Sequence, residues 1–261
     1  MMFNIFQRKP KLVFKTGIPG LEALHPIVPA SAFAHEFYSR AKHQKREPKE
    51  TNATTKCLGI RDYFSKGFVQ TTFCDVEITT NGNGMDFVYR TPVKTDHMYI
   101  SGLESTLVGF HHYNQYFEFM GRPDNTLGHI VKYSSPWSVH VPKGYYLLQS
   151  PLHHVAEQRF TTSTGVLSEG LVIDLNVQMI WNVPNSTTLL KAGTPIAHYQ
   201  LIRKEDVDIE CVPMTVEEGK VHRNIQQFRL RRFVTQPDKM PAESTAILES
   251  SQKKCPFHWK K

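Results

Sequence analysis

Val141-Pro142-Lys143-Gly144-Tyr145-Tyr146, Pro151-Leu152-His153-His154-Val155-Ala156, Gly165-Val166-Leu167-Ser168-Glu169-Gly170, Val177-Gln178-Met179-Ile180-Trp181-Asn182 and Ala192-Gly193-Thr194-Pro195-Ile196-Ala197-His198 follow one another in that order along the chain. Pro142 and Gly144 specify a tight turn, since proline presets φ and glycine takes positive φ without steric cost. Leu171–Trp181 then runs as one long strand, and the period of two puts Val177, Met179 and Trp181 on one face. Gly193-Thr194-Pro195 turns the chain into Ile196–Ile202. Short strands punctuated in this way predict a closed or sandwiched antiparallel fold.

His129–Tyr133, Trp137–Val141, Tyr145–Gln149, Thr187–Lys191 and Thr194–Ile202 read as further strands. Phe73–Ile78 and Met85–Arg90 flank Thr80-Asn81-Gly82-Asn83-Gly84, a hairpin signal. Between Leu103 and Met120 the residues Leu103, Leu107, Phe110 or His111, Asn114 and Phe117 fall at helical spacing and predict a helical insertion. Ser31 stands where an N-cap is wanted, and Phe33, Phe37 and Ala41 form a stripe that predicts an amphipathic helix to about Glu47. Pro48–Thr55 is polar and predicts a loop. Met1–Pro29, with Pro10, Pro19, Pro26 and Pro29, predicts extended chain and turns. Asn224–Phe233 predicts a short helix. The organisation is therefore an N-terminal extension with an amphipathic helix (1–55), a β-rich core with an insertion near 103–120 (56–219), and a basic helix and tail (220–261).

Lysine plus arginine number 31 against 24 acidic residues, a formal charge of +7. Residues 220–261 alone hold ten basic and three acidic residues, which is the whole surplus of seven. Such a tail attracts nucleic acid or acidic surfaces nonspecifically, although charge runs are more often solvated. No apolar run approaches the ~18 residues of a membrane span, and the amino terminus lacks a signal-peptide core, so a soluble protein with no membrane partner is expected. Cys57, Cys74, Cys211 and Cys255 form no CxxC pair, which argues against a disulfide framework or a sequence-local zinc site.

The order and gaps of the opening motifs resemble those of dUTPases and dCTP deaminases. The resemblance covers about a quarter of the chain, residues 136–202, and implies a mainly β, antiparallel dUTPase-like barrel of β-clip or jelly-roll type with helical insertions and extended termini. A cupin-like barrel would carry similar punctuation. Where that superfamily has Arg-Ser-Gly to hold phosphate, this chain has Leu152, His153 and His154, and imidazoles cannot reproduce a bidentate guanidinium. The aspartate expected after Gly165-Val166 is absent, with Leu167 and Ser168 in its neighbourhood. Asp174 points by parity with Val172, away from the Val177–Trp181 face, and reads as a surface or cross-strand residue. The whole chain is also similar to a protein family of tailed phages and bacteria, which implies no function.

Pro151, His153, His154 and His198 are the ligand-pocket candidates. His153, His154 and His140 are the candidate metal ligands, although no HxH or HExxH spacing supports them and adjacent histidines on a strand face opposite ways. No cofactor is expected; a divalent metal is the alternative. Ser163, Ser168 and Cys57 have no nucleophile motif around them, and Glu217-Glu218 and Glu205-Asp206 read as surface. Cys255-Pro256-Phe257-His258 offers only two metal-type side chains and, with Trp259, reads as an apolar plug. No catalytic residue is assigned. The expectation is a non-enzymatic phage-type protein that self-associates as a binding or structural component in the cytoplasm of a bacterial host, with virion association as a variant. The resemblance implies a homo-oligomer, commonly a trimer. The alternative is an enzyme or ligand-binding protein with a rebuilt nucleotide or metal pocket near His153 and His154.

Overall fold

The computed structural model describes residues 10–43, 57–93, 106–170 and 172–232. Contacts divide the chain into two units, Met1–Gln44 with Gly59–Glu205, and Lys45–Leu58 with Asp206–Lys261.

The first unit is mainly antiparallel β. Its strands are β1 (Val13–Thr16), β2 (Val28–Pro29), β3 (Phe68–Thr71), β4 (Val76–Thr80), β5 (Phe87–Arg90), β6 (Val108–His111), β7 (Ile130–His140), β8 (Tyr145–Ser150), β9 (Phe160–Thr162), β10 (Gly165–Ser168), β11 (Val172–Trp181), β12 (Thr187–Leu190) and β13 (Pro195–Arg203). They form a sheet of β1-β7-β11-β9 with β6 also on β7, a sheet of β10-β8-β13-β3-β2, and a sheet of β12-β4-β5. Each of these pairings is antiparallel. Helices α1 (Leu21–Leu24), α2 (Ser31–His43), α3 (Leu58–Ser65) and α4 (Tyr113–Met120) complete the described elements of this region.

Alternation builds the main core as the sequence predicts. Leu175, Val177, Met179 and Trp181 of β11 are buried, with Trp181 stacked on Phe160 at 6.0 Å. Burying a side chain of this size stabilises the fold by ~1.5–3 kcal/mol. The β4–β5 hairpin forms around Gly82 and Gly84, both at positive φ. The turns at Pro142–Gly144 and before Pro195 are also present, closed by Tyr145 N–H to Pro142 and Thr194 N–H to Lys191.

Four expectations are corrected. The strands are not closed into a barrel among the described residues; they spread over three sheets, and consecutive β10 and β11 belong to different ones. Edge strand β2 ends in Pro29, which has no N–H for a further ladder. His129–Tyr133 and Trp137–Val141 are not separate strands but parts of the single strand β7, which runs through Pro136. Opposite β11 the register moves from Asp174–Ser138 to Asn176–Ser134, so Pro136 sits in a bulge, where a missing donor is tolerated. The insertion is not helical from Leu103: that residue lies outside the described part, Val108–His111 pairs with β7, and the helix starts at Tyr113 after His112 N–H caps onto Gln115 Oε1 at 2.8 Å. Ser31 is the first helical residue rather than the cap, preceded by the fully buried Ala30.

A second core lies beside the first. Ala30, Phe64, Val69 and Leu152 are buried together, with Phe33, Phe37, Ile60 and Tyr63 packed against them. Helices α2 and α3 thus cover β3 and the segment that follows β8.

In the second unit, the helix α5 (Val216–Arg232) begins well before the predicted Asn224. A capping box explains the difference: Thr215 N–H donates to Glu218 Oε2 at 2.8 Å, and Glu218 N–H donates to Thr215 Oγ1 at 3.2 Å. The predicted loop Pro48–Thr55, the end of α2 near Glu47, and Phe233, Cys255, Phe257, His258 and Trp259 lie outside the described residues. Among the described residues, no helix is long and apolar enough to cross a membrane.

Candidate functional site

The segment Pro151–Ala156 leaves β8 as a turn, not a strand, so His153 and His154 do not alternate across a sheet. His154 takes φ 66°, the left-handed region that a β-carbon disfavours. This is the place where the resembled motif carries glycine. The two imidazole rings end 6.4 Å apart, both exposed.

What holds the turn is Tyr63 of α3. Its hydroxyl accepts from His153 N–H at 3.0 Å, lies 3.2 Å from the Pro151 carbonyl, and lies 3.0 Å from His198 Nδ1. The Tyr63 ring packs on His198 at 4.8 Å and on His154 at 5.7 Å, while Phe37 of α2 meets His154 at 5.5 Å. His198, on β13, is fully buried, and its Nε2 lies 3.0 Å from the Lys66 carbonyl. Burial pushes its pKa below the ordinary histidine value, the Lys66 carbonyl opposes that shift, and His153 reinforces it. His154 is lowered in the same direction by desolvation and then by His153. Burial raises Tyr63, against the His153 amide. At neutral pH the lowered His154 and His198 are uncharged.

On the solvent side the turn lines a cavity of about 260 Å³ with Pro151, His153 and His154 at one wall and Phe160, Thr162 and Ile196 at the other. A neighbouring cavity of about 400 Å³ shares Val155, Glu157 and Pro195 with it and adds Glu36 and Arg159. Arg159 is the guanidinium at this place, and its fork is taken. Its Nε donates to Glu157 Oε1 at 2.8 Å, its Nη2 reaches Glu157 Oε2, and its Nη1 reaches the Leu189 carbonyl. Leu152, which stands where the resembled enzymes carry arginine, is only 9% exposed and belongs to the second core.

The structure therefore brings Pro151, His153 and His154 to one cavity wall and places His198 behind them, out of contact with the cavity and against Tyr63. His140 stands at the end of β7, opposite Val13 and Val172. Among the described residues no group of three or more His, Cys, Asp or Glu side chains is placed to hold a metal ion, so the His153, His154 and His140 set is not assembled. Asp174 is exposed, as its parity implied. Glu169, between β10 and β11, accepts from Gly144 N–H and pairs with Lys204 at 3.2 Å. The Gly144 bond above all holds its carboxyl below the usual range. Sequence reasoning missed Tyr63, Glu157 and Arg159. The signal for Tyr63 was the helical stripe Ile60, Tyr63, Phe64; Glu157 and Arg159 carry no local pattern.

Neither a protein-family model nor a curated protein matches the chain. Solved structures similar to it include the dUTPase of EIAV, 11% identical, with 78% of this chain and 98% of that chain covered at a TM-score of 0.33. A dUTPase from phage phi11 of S. aureus is 9% identical, with 79% and 99% covered at 0.33. The dUTPase of Staphylococcus bacteriophage 80alpha, with dUpNHpp, is 9% identical, with 79% and 90% covered at 0.32.

Proposed function

We propose that the chain is a non-enzymatic, phage-type protein on a dUTPase-like fold, a self-associating binding or structural component of the host cytoplasm or the virion. The observation that carries this reading is the fate of the guanidinium. The arginine position of the resembled motif is a buried leucine, and Arg159, which lines the neighbouring cavity, is neutralised by Glu157. A triphosphate would meet two imidazoles and a satisfied ion pair in place of a cationic fork, which removes the main source of charge stabilisation in phosphate chemistry. Self-association has support in the exposure of Phe110 (50%), Phe119 (82%) and Met120 (70%), apolar side chains of the kind that anchor interfaces. The basic 220–261 segment suits a weak, salt-sensitive contact with nucleic acid or another acidic surface.

Purified protein should neither hydrolyse dUTP nor deaminate dCTP above a no-enzyme control, and light scattering at micromolar concentration should report an oligomer, a trimer if the resemblance extends that far. Turnover that vanishes in His153→Ala/His154→Ala overturns the non-enzymatic reading. A monomer overturns self-association. Truncation after Phe233 asks whether the tail takes part.

The second reading is a ligand-binding protein, favoured by the 260 Å³ cavity under His153 and His154. A thermal-shift screen with nucleotides and divalent ions separates the two, because a ligand of the native state raises the melting temperature by mass action.

A further inference from the structure

The Lys66 carbonyl can only accept, so His198 Nε2, 3.0 Å away, carries a hydrogen. A neutral His198 then has a bare Nδ1 facing the Tyr63 hydroxyl. That hydroxyl has one proton, and two acceptors claim it: His198 Nδ1 at 3.0 Å and the Pro151 carbonyl at 3.2 Å. When the proton goes to His198, the Pro151 carbonyl keeps only the long contact from the Ser150 hydroxyl at 3.4 Å, and the Tyr63 oxygen keeps a lone pair that the His153 N–H does not fill.

A proton on Nδ1 removes every one of these deficits. Nδ1–H donates to the Tyr63 oxygen, which then accepts from His198 and from the His153 amide and has both lone pairs filled. Its own proton is released to the Pro151 carbonyl. Nε2–H stays on Lys66. No bond between heavy atoms changes, and the proton comes from solvent.

We propose that His198 is a proton-operated latch: on gaining a proton it turns the Tyr63 hydroxyl from itself to the Pro151 carbonyl and clamps the Pro151–His154 turn. The opposing force is burial, because His198 is 0% exposed and an ion there loses its hydration. The groups that face or act on the ring are Tyr63 from α3, the carbonyl of Lys66 and the backbone of Gly67 from the loop after it, and His153 from the turn, while His154 packs on Tyr63. Its ladder neighbours Val69 on β3 and Ser150 on β8 carry no charge. His153 disfavours the added charge and the carbonyl of Lys66 favours it. The hydrogen-bond surplus and the desolvation penalty are opposed, which makes the latch open at neutral pH and closed in acid. The turn it clamps is the wall of the 260 Å³ cavity, so the latch acts whether that cavity binds a ligand or not.

The test is a titration of full-length protein carrying ¹⁵N-histidine and ¹³C-carbonyl proline, followed by NMR from pH 8 to pH 4.5. At pH 8 one buried ring should hold hydrogen on Nε2 and none on Nδ1. As the pH falls below the ordinary histidine range, that ring should gain hydrogen on Nδ1, and the Pro151 carbonyl resonance should move with the same midpoint. Tyr63→Phe, which lacks the hydroxyl, should leave the Pro151 resonance indifferent to the His198 titration. Nδ1–H on the neutral ring, a Pro151 resonance that ignores the titration in the native chain, or a response preserved in Tyr63→Phe each overturns the latch. So does acid unfolding while His198 is still neutral. If Tyr63→Phe does not fold, the tautomer and the shared midpoint in the native chain decide.

Discussion

Tyr199 and Tyr63 both place one hydroxyl proton between two acceptors, but in different surroundings. Tyr199 is fully buried in the main core, 3.0 Å from Gln70 Oε1 and 3.0 Å from Gln149 Oε1, and Gln70 Nε2 is anchored on Ser135 Oγ at 2.7 Å. Its partners carry no charge at any ordinary pH, and a glutamine that exchanges its oxygen and nitrogen can settle the surplus for good. Burial drives the Tyr199 hydroxyl far above its usual pKa, so it never contributes a proton. Tyr63 is half-buried, and one of its partners is an imidazole. The same surplus of acceptors there is settled by pH. Position in the fold, and not the tyrosine itself, decides which network is a fixed strut and which can switch.

The largest effect is expected where the backbone of Tyr199 and the ring of His198 close on one glycine. Gly67, at φ 82°, has its α-carbon so placed that an added Cβ would lie 2.4 Å from the Tyr199 carbonyl and 2.6 Å from His198 Nε2. Gly67→Ala should cost about 2–5 kcal/mol in urea denaturation, combining ~1–2 for a left-handed alanine with ~1–3 for overpacking. A loss under about 1 kcal/mol would mean that the His198 ring is not held against this glycine.

The two hydroxyls should then part company when each is removed. Tyr199→Phe leaves buried amide groups without their partner and should cost about 1–3 kcal/mol, by the same amount at pH 5.5 and pH 7.5. Tyr63→Phe should cost about 1 kcal/mol or less at pH 7.5, where water reaches part of its surroundings, and more once the pH is low enough for folded His198 to take its proton and donate to it. Equal pH behaviour in the two variants would erase the distinction.

The native chain should also lose stability on acidification, and the direction follows from linkage. His198 and His154 have folded pKa values below the ordinary histidine value of about 6.5. Below that value the unfolded chain binds protons that the folded chain refuses, so their contribution is complete above it and is lost as the pH falls toward the folded values. While His198 stays neutral in the fold, the slope it adds is at most about 1.4 kcal/mol per pH unit. Urea midpoints at pH 7.5, 6.5 and 5.5 measure it, and His198→Gln should flatten the curve.

Most of the strands were legible because alternation and turn residues are local. Val177, Met179 and Trp181 fall on the buried face that their spacing implies, and Gly144 and Gly193 take the positive φ that their turns require. Strand β7 was misread because Pro136 is a breaker in sequence and a bulge in the sheet, a difference made only by the register of β11. The site was half legible: Pro151, His153 and His154 stood out by type and position, but Tyr63 lies 90 residues before His153 and meets it only through the fold. The pairing of Arg159 with Glu157 was likewise invisible, since two residues of separation say nothing about whether a fork is free.

The smallest effect is expected at Asp174, and its smallness tests the reading of the whole β10–β11 segment, whose two strands lie in different sheets. The resembled motif carries its aspartate just after Gly165-Val166, and the carboxylates that follow that point here are Glu169 and Asp174. Glu169 is committed to structure, holding the Gly144 amide and Lys204 across the Pro142–Gly144 turn. Asp174 is exposed on β11 opposite Ser138, just before the register shift. A side chain there has water to solvate it in either charge state, so Asp174→Asn should change stability by no more than about 0.5 kcal/mol. Glu169→Gln should move the urea midpoint further, because it weakens an acceptor that the turn uses. If Asp174→Asn instead proves the more disruptive of the two, or abolishes binding of a nucleotide found by thermal shift, then Asp174 faces a site and not solvent, and the segment retains a working carboxylate.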